Sequence, residues 1–293
     1  MSEIRRDGTT LVTGADGQIG RAVCRQLRES EARFLPVDKD PAQGEGVLQC
    51  DLRNKDDIFR LFHSHPIETV IHLAAILPTA FRADPLLGAD VNLTGTFELM
   101  RQAVNAQVKR FVFASSRSVY GLSSTLRSLT ETDVVNPEDP YGAAKRAVEL
   151  VGEALHATQT MEFVSLRVAI VVGPGVRKSS STWRSQMFAA APGAAIKIPF
   201  ASSVLVPLAY VEDVAREFII LAQAARLASS AYNTPVEIWK VADLKVAVER
   251  SANVYVQLEN EGTHGGPLCD GGRFVEEFGF RPQSIRERLQ PSC

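Results

Sequence analysis

Thr9-Thr10-Leu11-Val12-Thr13-Gly14-Ala15-Asp16-Gly17-Gln18-Ile19-Gly20 begins as an apolar strand, passes three spaced glycines and runs into an amphipathic stretch. Gly14 permits a tight turn, Gly17 lets backbone approach a ligand, and Gly20 lets a helix pack close to the strand. The start of that helix offers free N–H groups and a positive dipole end, which suits a pyrophosphate. Gly14, Asp16, Gly17, Gln18, Ile19 and Gly20 are therefore candidate dinucleotide-binding positions. Such spacing arises by chance in about one chain in ten; its place at the first strand–helix junction is what gives it weight.

Outward from this turn the pattern repeats. Strands are expected at Thr9–Thr13, Arg33–Asp38, Val47–Asp51, Thr69–Leu73, Arg110–Ala114 and Phe163–Val172. Helices are expected at Ile19–Ser30, Lys55–His63, Pro85–Asn105 and Pro140–Thr158. Continuous apolar strands separated by helical patterns predict an α/β doubly wound parallel sheet, a Rossmann fold. After Val172, Gly173-Pro174-Gly175 breaks the pattern and opens a small C-terminal substrate lobe. That lobe is expected to hold a helix Thr182–Ala191, a strand near Ile196–Pro199 and a glycine-rich loop Asn260–Gly272. We divide the chain into residues 1–172, a dinucleotide domain to which about 200–230 return with a helix Val211–Leu227, and 173–293, mainly lobe.

Composition narrows the function. The 293 residues are 45% hydrophobic and 23% charged with net charge -2, which argues against a nucleic-acid partner. Cys24, Cys50, Cys269 and Cys293 lie far apart with no nearby histidine at ligand spacing, so no metal site is expected. No apolar run reaches membrane-spanning length and the amino terminus has no apolar leader, so a cytoplasmic protein is expected. The five histidines are read neither as ligands nor as bases.

Asp38, at the end of the second strand, can accept hydrogen bonds from a ribose and would repel a 2′-phosphate, favouring NAD over NADP. Lys39 beside it is the residue that could reverse this preference. Asp51 and Leu52 follow the third strand, where they would flank the adenine, and Leu73-Ala74-Ala75 leave room for a cofactor at the end of the fourth. Tyr141 and Lys145, four apart after Pro140, share one helical face. A phenol of ordinary pKa about 10 becomes a useful acid/base only when neighbouring positive charge favours the phenolate, and a shift of three units needs roughly 4 kcal/mol. Ser115 and Ser116 end a buried strand, where a hydroxyl can hold a reacting oxygen. Arg177, Ser179 and Trp183 belong to a cationic, hydroxyl-rich stretch suited to an anionic substrate or a diphosphate, or else simply to solvent.

Taken together, Thr13-Gly14-x-x-Gly17-x-x-Gly20, Asp38, Asp51-Leu52, His72-Leu73-Ala74-Ala75, Asn92, Ser115-Ser116, Tyr141-x-x-x-Lys145, Arg167 and Gly173-Pro174-Gly175 resemble the extended short-chain dehydrogenases/reductases, the NAD-dependent epimerase/dehydratase family. The resemblance covers most of the chain. It implies NAD as cofactor, Ser116, Tyr141 and Lys145 as catalytic residues with Ser115 as the alternative serine, and Asn92 beside the cofactor. It also implies a homodimer through the helices Pro85–Asn105 and Pro140–Thr158. Two departures stand out: Arg167 is followed by Val168-Ala169-Ile170-Val171-Val172 where nucleotide-sugar members commonly carry an asparagine, and the chain is short. Arg117 and Ser118 supply none of the acids a dehydratase adds. The expectation is oxidation of a secondary hydroxyl on a sugar, sugar acid or similar polyol, with nucleotide-sugar epimerisation and a non-catalytic NAD sensor as the other readings.

Overall fold

Seven strands, all paired in parallel, form the central sheet of the computed structural model, which describes residues 8–42, 46–121, 127–176, 181–259 and 265–289. The chain runs β1 (Thr9–Thr13), α1 (Gln18–Glu29), β2 (Phe34–Asp38), β3 (Leu48–Gln49), α2 (Lys55–Ser64) and β4 (Ile67–His72). It continues through α3 (Pro78–Ala83), α4 (Pro85–Ala89), a π-helical turn Asp90–Gly95, α5 (Thr96–Asn105), β5 (Arg110–Ser116), α6 (Pro140–Ala157) and β6 (Glu162–Val168). Then come β7 (Ile170–Val172), α7 (Trp183–Ala189), β8 (Ala195–Ile198), β9 (Leu205–Tyr210), α8 (Val211–Gln223), β10 (Ala231–Asn233), β11 (Glu237–Lys240), α9 (Val241–Ala252), β12 (Tyr255–Leu258), α10 (Gly272–Phe278) and α11 (Ile285–Arg288).

The sheet order is β10-β6-β5-β4-β1-β2-β3. The chain winds outward from β1 to β3 and returns on the other side at β4, so the direction reverses between β1 and β4. Open α/β sheets bind ligands at that crevice, outside the carboxyl ends of the strands. One face packs α1 and α8 over Val12, Ile71, Val112 and Val164; the other carries α2, α5 and α6 over Leu11, Val70, Phe111 and Phe163. Each such side chain, taken wholly out of water, contributes about 1.5–3 kcal/mol before chain entropy is counted. The lobe has its own core, where Trp183, Trp239, Ile198 and Val206 lie between a β11-β9-β7 sheet and the β12-β8 pair.

Two expected elements divide. The apolar run Phe163–Val172 is two strands: Glu162–Val168 pairs with β5, whereas Ile170–Val172 pairs with β9 in the lobe. The chain passes from one sheet to the other at Ala169, and uniform apolarity concealed the crossing. The expected helix Pro85–Asn105 is α4, a π-turn and α5. Its start is capped by Asp84, which accepts from the Leu87 N–H at 2.9 Å. Its middle widens where Asn92 reaches the backbone of Ile76. π-Turns inside helices commonly mark such side-chain placements. The helix Val211–Leu227 ends earlier, at Gln223.

Candidate active site

The glycine turn sits at the carboxyl end of β1. The Gly17 N–H closes it on the Gly14 carbonyl at 3.0 Å. A Cβ on Gly20 would lie 2.1 Å from the Gly14 oxygen, so only glycine lets α1 seat this close. No side chain caps the start of α1 and its first turn holds no acid, which leaves the donors of Gln18 and Ile19 for an anion. The Asp16 N–H donates to Asp38 Oδ2 at 3.0 Å, fixing the carboxylate beside the turn. Lys39 turns instead to Asp40, 3.6 Å away at the surface, and Arg21 holds Asp16 and the Gly175 carbonyl. Asp51 is gripped by Arg53 through two oxygens, and that hydrogen-bonded guanidinium holds its carboxyl below the usual range.

Beyond β4, the Leu73 and Ala74 N–H groups donate to Thr13 at 3.2 and 3.3 Å, so the half-exposed Leu73-Ala74-Ala75 run passes beside the turn. Asn92 accepts from the Ile76 N–H at 2.7 Å and donates to the Ile76 carbonyl at 2.9 Å. One donor and one acceptor of its amide are thereby held by the loop. This places Asn92 as a residue that positions the Ile76 loop. His72 bridges Thr13 (2.6 Å) and Thr96 (3.0 Å), and burial lowers its pKa to about 3, so it remains a neutral link under the site.

Tyr141 begins α6. Asp139 caps this helix by accepting the Tyr141 and Gly142 N–H groups at 2.9 and 3.0 Å, and Pro140 supplies the fixed first-turn backbone. A Cβ on Gly142 would stand 2.5 Å from the Ser118 carbonyl. This close approach brings the phenol to Ser116, whose hydroxyl lies 3.2 Å from that of Ser118. Burial pushes the Tyr141 phenol up to about 12, while the Ser116 hydroxyl and the Arg184 guanidinium pull it back. Lys145 donates to the Ala114 carbonyl at 2.7 Å and stands 5.7 Å from the Tyr141 ring centre. Burial lowers its pKa to about 7, opposed by Glu149. Positive charge near the phenol thus includes the Arg184 guanidinium as well as the Lys145 side chain on the same helical face.

Ser115 and Ser116 point to opposite faces of β5, as consecutive strand residues must. Ser115 donates to Glu149 Oε1 at 2.6 Å inside the protein, so it is a structural residue and not the expected substrate contact. Glu149 in turn holds Arg167 through two 3.0 Å bonds, and Arg167 reaches the Tyr120 hydroxyl at 2.9 Å. Burial alone would depress that guanidinium; bonding to Glu149 more than offsets it, and the net shift is upward. Trp183 is 1% exposed, seated in the lobe core with Phe200 edge-on at 6.0 Å. Its expected substrate contact is replaced by packing. Arg177 and Ser179 lie outside the described residues.

Glu149 and Arg184 were missed in the sequence. The first repeats the Tyr141–Lys145 interval once more, a charged residue on the buried face of a helix, and was findable. The second is one arginine in a short apolar helix, and nothing local marks it.

A parallel sheet with a glycine turn at its reversal point and a Ser/Tyr/Lys group at the next strand ends defines a dinucleotide-binding oxidoreductase class. The family model for the NAD dependent epimerase/dehydratase family matches residues 10–234, and the chain belongs to that family. Membership makes it an NAD-using enzyme. A UDP-glucuronate 4-epimerase of Thermodesulfobacterium geofontis is 29% identical over 196 residues, 60% of each chain. A UDP-glucose 4-epimerase of Bacillus subtilis is 30% identical over 171 residues, 53% of this chain and 50% of that one. The chain thus spans about half to three-fifths of the length of these curated relatives. The structure of Thermus thermophilus UDP-glucose 4-epimerase in complex with NAD is 25% identical with a TM-score of 0.80, covering 96% of both chains. An L-threonine 3-dehydrogenase of Trypanosoma brucei, at 18% identity and a TM-score of 0.86 over 96% of this chain and 94% of that one, shares the fold. Among the described residues no helix is long and apolar enough to cross a membrane, and no acid/histidine/cysteine group could hold a metal.

Proposed function

We propose that this chain oxidises a secondary hydroxyl of a sugar, sugar acid or related polyol, with net reduction of NAD. The observation that carries the reading is the convergence of Ser116, Tyr141 and Lys145 at the carboxyl ends of β4 and β5, opposite the glycine turn. Bound NAD supplies the hydride acceptor. Gly14, Asp16, Gly17, Gln18, Ile19 and Gly20 would hold its pyrophosphate, with Asp38 on the adenosine ribose. Asp51, Leu52, Leu73, Ala74 and Ala75 would line its length. Tyr141 would take the hydroxyl proton as the carbinol becomes a carbonyl, Ser116 would orient that oxygen, and Lys145 would hold the nicotinamide ribose.

The second reading is a nucleotide-sugar epimerase, favoured by the activities named for the curated relatives. Against it stand the wholly apolar Val168–Val172 segment and the small lobe. Incubating the protein with NAD and panels of polyols, sugar acids and nucleotide sugars, while following the absorbance of reduced nicotinamide, separates the two. Accumulating NADH supports the dehydrogenase; product formed without it supports the epimerase.

Cofactor choice is a separate expectation. Because Asp38 is fixed beside the turn and Lys39 and Arg21 are occupied elsewhere, NAD should bind about tenfold or more tightly than NADP. Asp38→Ser should narrow the gap in fluorescence titrations. Equal affinities in the unaltered protein would refute this reading of Asp38.

The protein is further proposed to act as a cytoplasmic homodimer. Leu150 (51% exposed) and Val151 (41%) on α6, and Leu86 (79%) on α4, leave apolar surface on the helices expected to pair. Sedimentation equilibrium at micromolar concentration should report twice the 31.9 kDa chain mass, and a monomer throughout would refute it.

A further inference from the structure

Arg184, whose charge acts on the reactive phenol, and Arg117 make no ion pair among the described residues. The Gly173 N–H donates to the Arg184 carbonyl at 2.9 Å, and Ser185 Oγ donates to the Gly173 carbonyl at 2.7 Å. That same carbonyl accepts from Gln18 Nε2 at 2.9 Å, so the first turn of α7 is moored to the start of α1. Arg184 is thereby carried into the crevice, where its charge and the Tyr141 phenol act on each other. Its Nε is shielded from solvent and has no hydrogen-bond partner among the described residues. Arg117 follows Ser116 directly; its Nη1 donates to the Pro267 carbonyl at 2.8 Å, and its charge and that of Arg184 repel.

No ion pair involves either of these partly buried guanidiniums among the described residues, whereas the more deeply buried Arg167 has the Glu149 carboxylate. An interior cation without a counter-ion is costly, so its place at a reactive centre calls for an anion that arrives from outside.

We propose that Arg184, supported by Arg117, is the anchor for a carboxylate that the substrate carries close to its reacting carbinol. The substrate class is then a hydroxy acid of the sugar-acid type. A guanidinium donates to a carboxylate through a planar fork, which fixes orientation as well as position. The anchor's charge acts on the phenol that takes the carbinol proton, which places the anion and the reacting carbon as near neighbours. A nucleotide sugar without an acid group has its diphosphate across the ring from C4 and fits this placement poorly; only one that also carries a carboxylate next to the reacting carbon would fit it. The proposal rests on the dehydrogenase reading above and deepens it.

Its test uses full-length protein loaded with NADH and three matched probe pairs: oxamate with oxamide, D-gluconate with D-glucitol, and D-glucuronate with D-glucose. Calorimetry should show the carboxylate member of at least one pair bound about tenfold or more tightly. Arg184→Gln should abolish that preference without changing NADH affinity, and Arg184→Lys should keep part of it. Absence of preference in every pair, or preference that survives Arg184→Gln, would overturn the anchor. Turnover of the same compounds with NAD keeps the two claims apart. Carboxylate preference without turnover removes the dehydrogenase reading and leaves the anchor; turnover of neutral members without preference does the reverse.

Discussion

Tyr141→Phe is expected to lower turnover by about two to four decades while leaving NAD affinity and thermal stability close to unchanged. The phenylalanine ring fills the same space between Phe81, 6.4 Å away edge-on, and Lys145, and no buried hydrogen bond to the hydroxyl needs replacing beyond Ser116. What would disappear is the group proposed to accept the carbinol proton. With its pKa pushed to about 12 by burial, the phenol is protonated at neutral pH in the protein alone. It therefore depends on positive charge in the assembled site to be drawn toward the phenolate. Steady-state kinetics beside a cofactor titration checks this. Turnover within a factor of a few of the unaltered protein would remove Tyr141 from the chemistry.

The second large effect is on stability. Arg167→Leu leaves the Glu149 carboxylate, 0% exposed, without its two-bond partner; among the described residues Ser115 and Arg146 remain its hydrogen-bond partners, and the Lys145 charge acts on it. Breaking a buried pair on one side costs about 3–5 kcal/mol when the remaining charge has no other partner; Arg146, 3.0 Å from Glu149, offsets part of that here, and the urea midpoint should still fall clearly at unchanged slope. Replacing both members with apolar residues, Arg167→Leu with Glu149→Met, should recover much of the loss, because no uncompensated charge then remains. Ser115 and Tyr120 would still lose partners, which sets a limit on the recovery. A double variant as unstable as the single one would show that the hydrogen-bond network, and not the stranded charge, governs the cost.

The residues legible in the sequence are those whose chemistry is set by local spacing. Gly14, Gly17 and Gly20 lie on one turn, and Tyr141 and Lys145 on one helical face, so a linear reading finds them. Asp38 is legible because it ends a strand whose partner carries the turn. What was misread depends on direction or on distant partners. Ser115 and Ser116 look alike in sequence, yet strand alternation sends one to Glu149 and the other to Tyr141. Trp183 in a polar stretch looks available, but the lobe closes over it. The Phe163–Val172 run carries no mark of the change of sheet at Ala169, since both sheets ask for apolar residues there. Arg184 acquires meaning only when Gly173 and Gln18 bring α7 to α1.

The central claim is that reducing equivalents leave the substrate for good. The most direct measurement uses a substrate from the panel carrying deuterium at the reacting carbinol carbon, with excess NAD, followed by mass analysis of both the product and the nicotinamide. The account predicts a carbonyl product that has lost the label and free reduced nicotinamide that has gained it in equal amount. Label retained on a product of inverted configuration, with no labelled nicotinamide released, would contradict it.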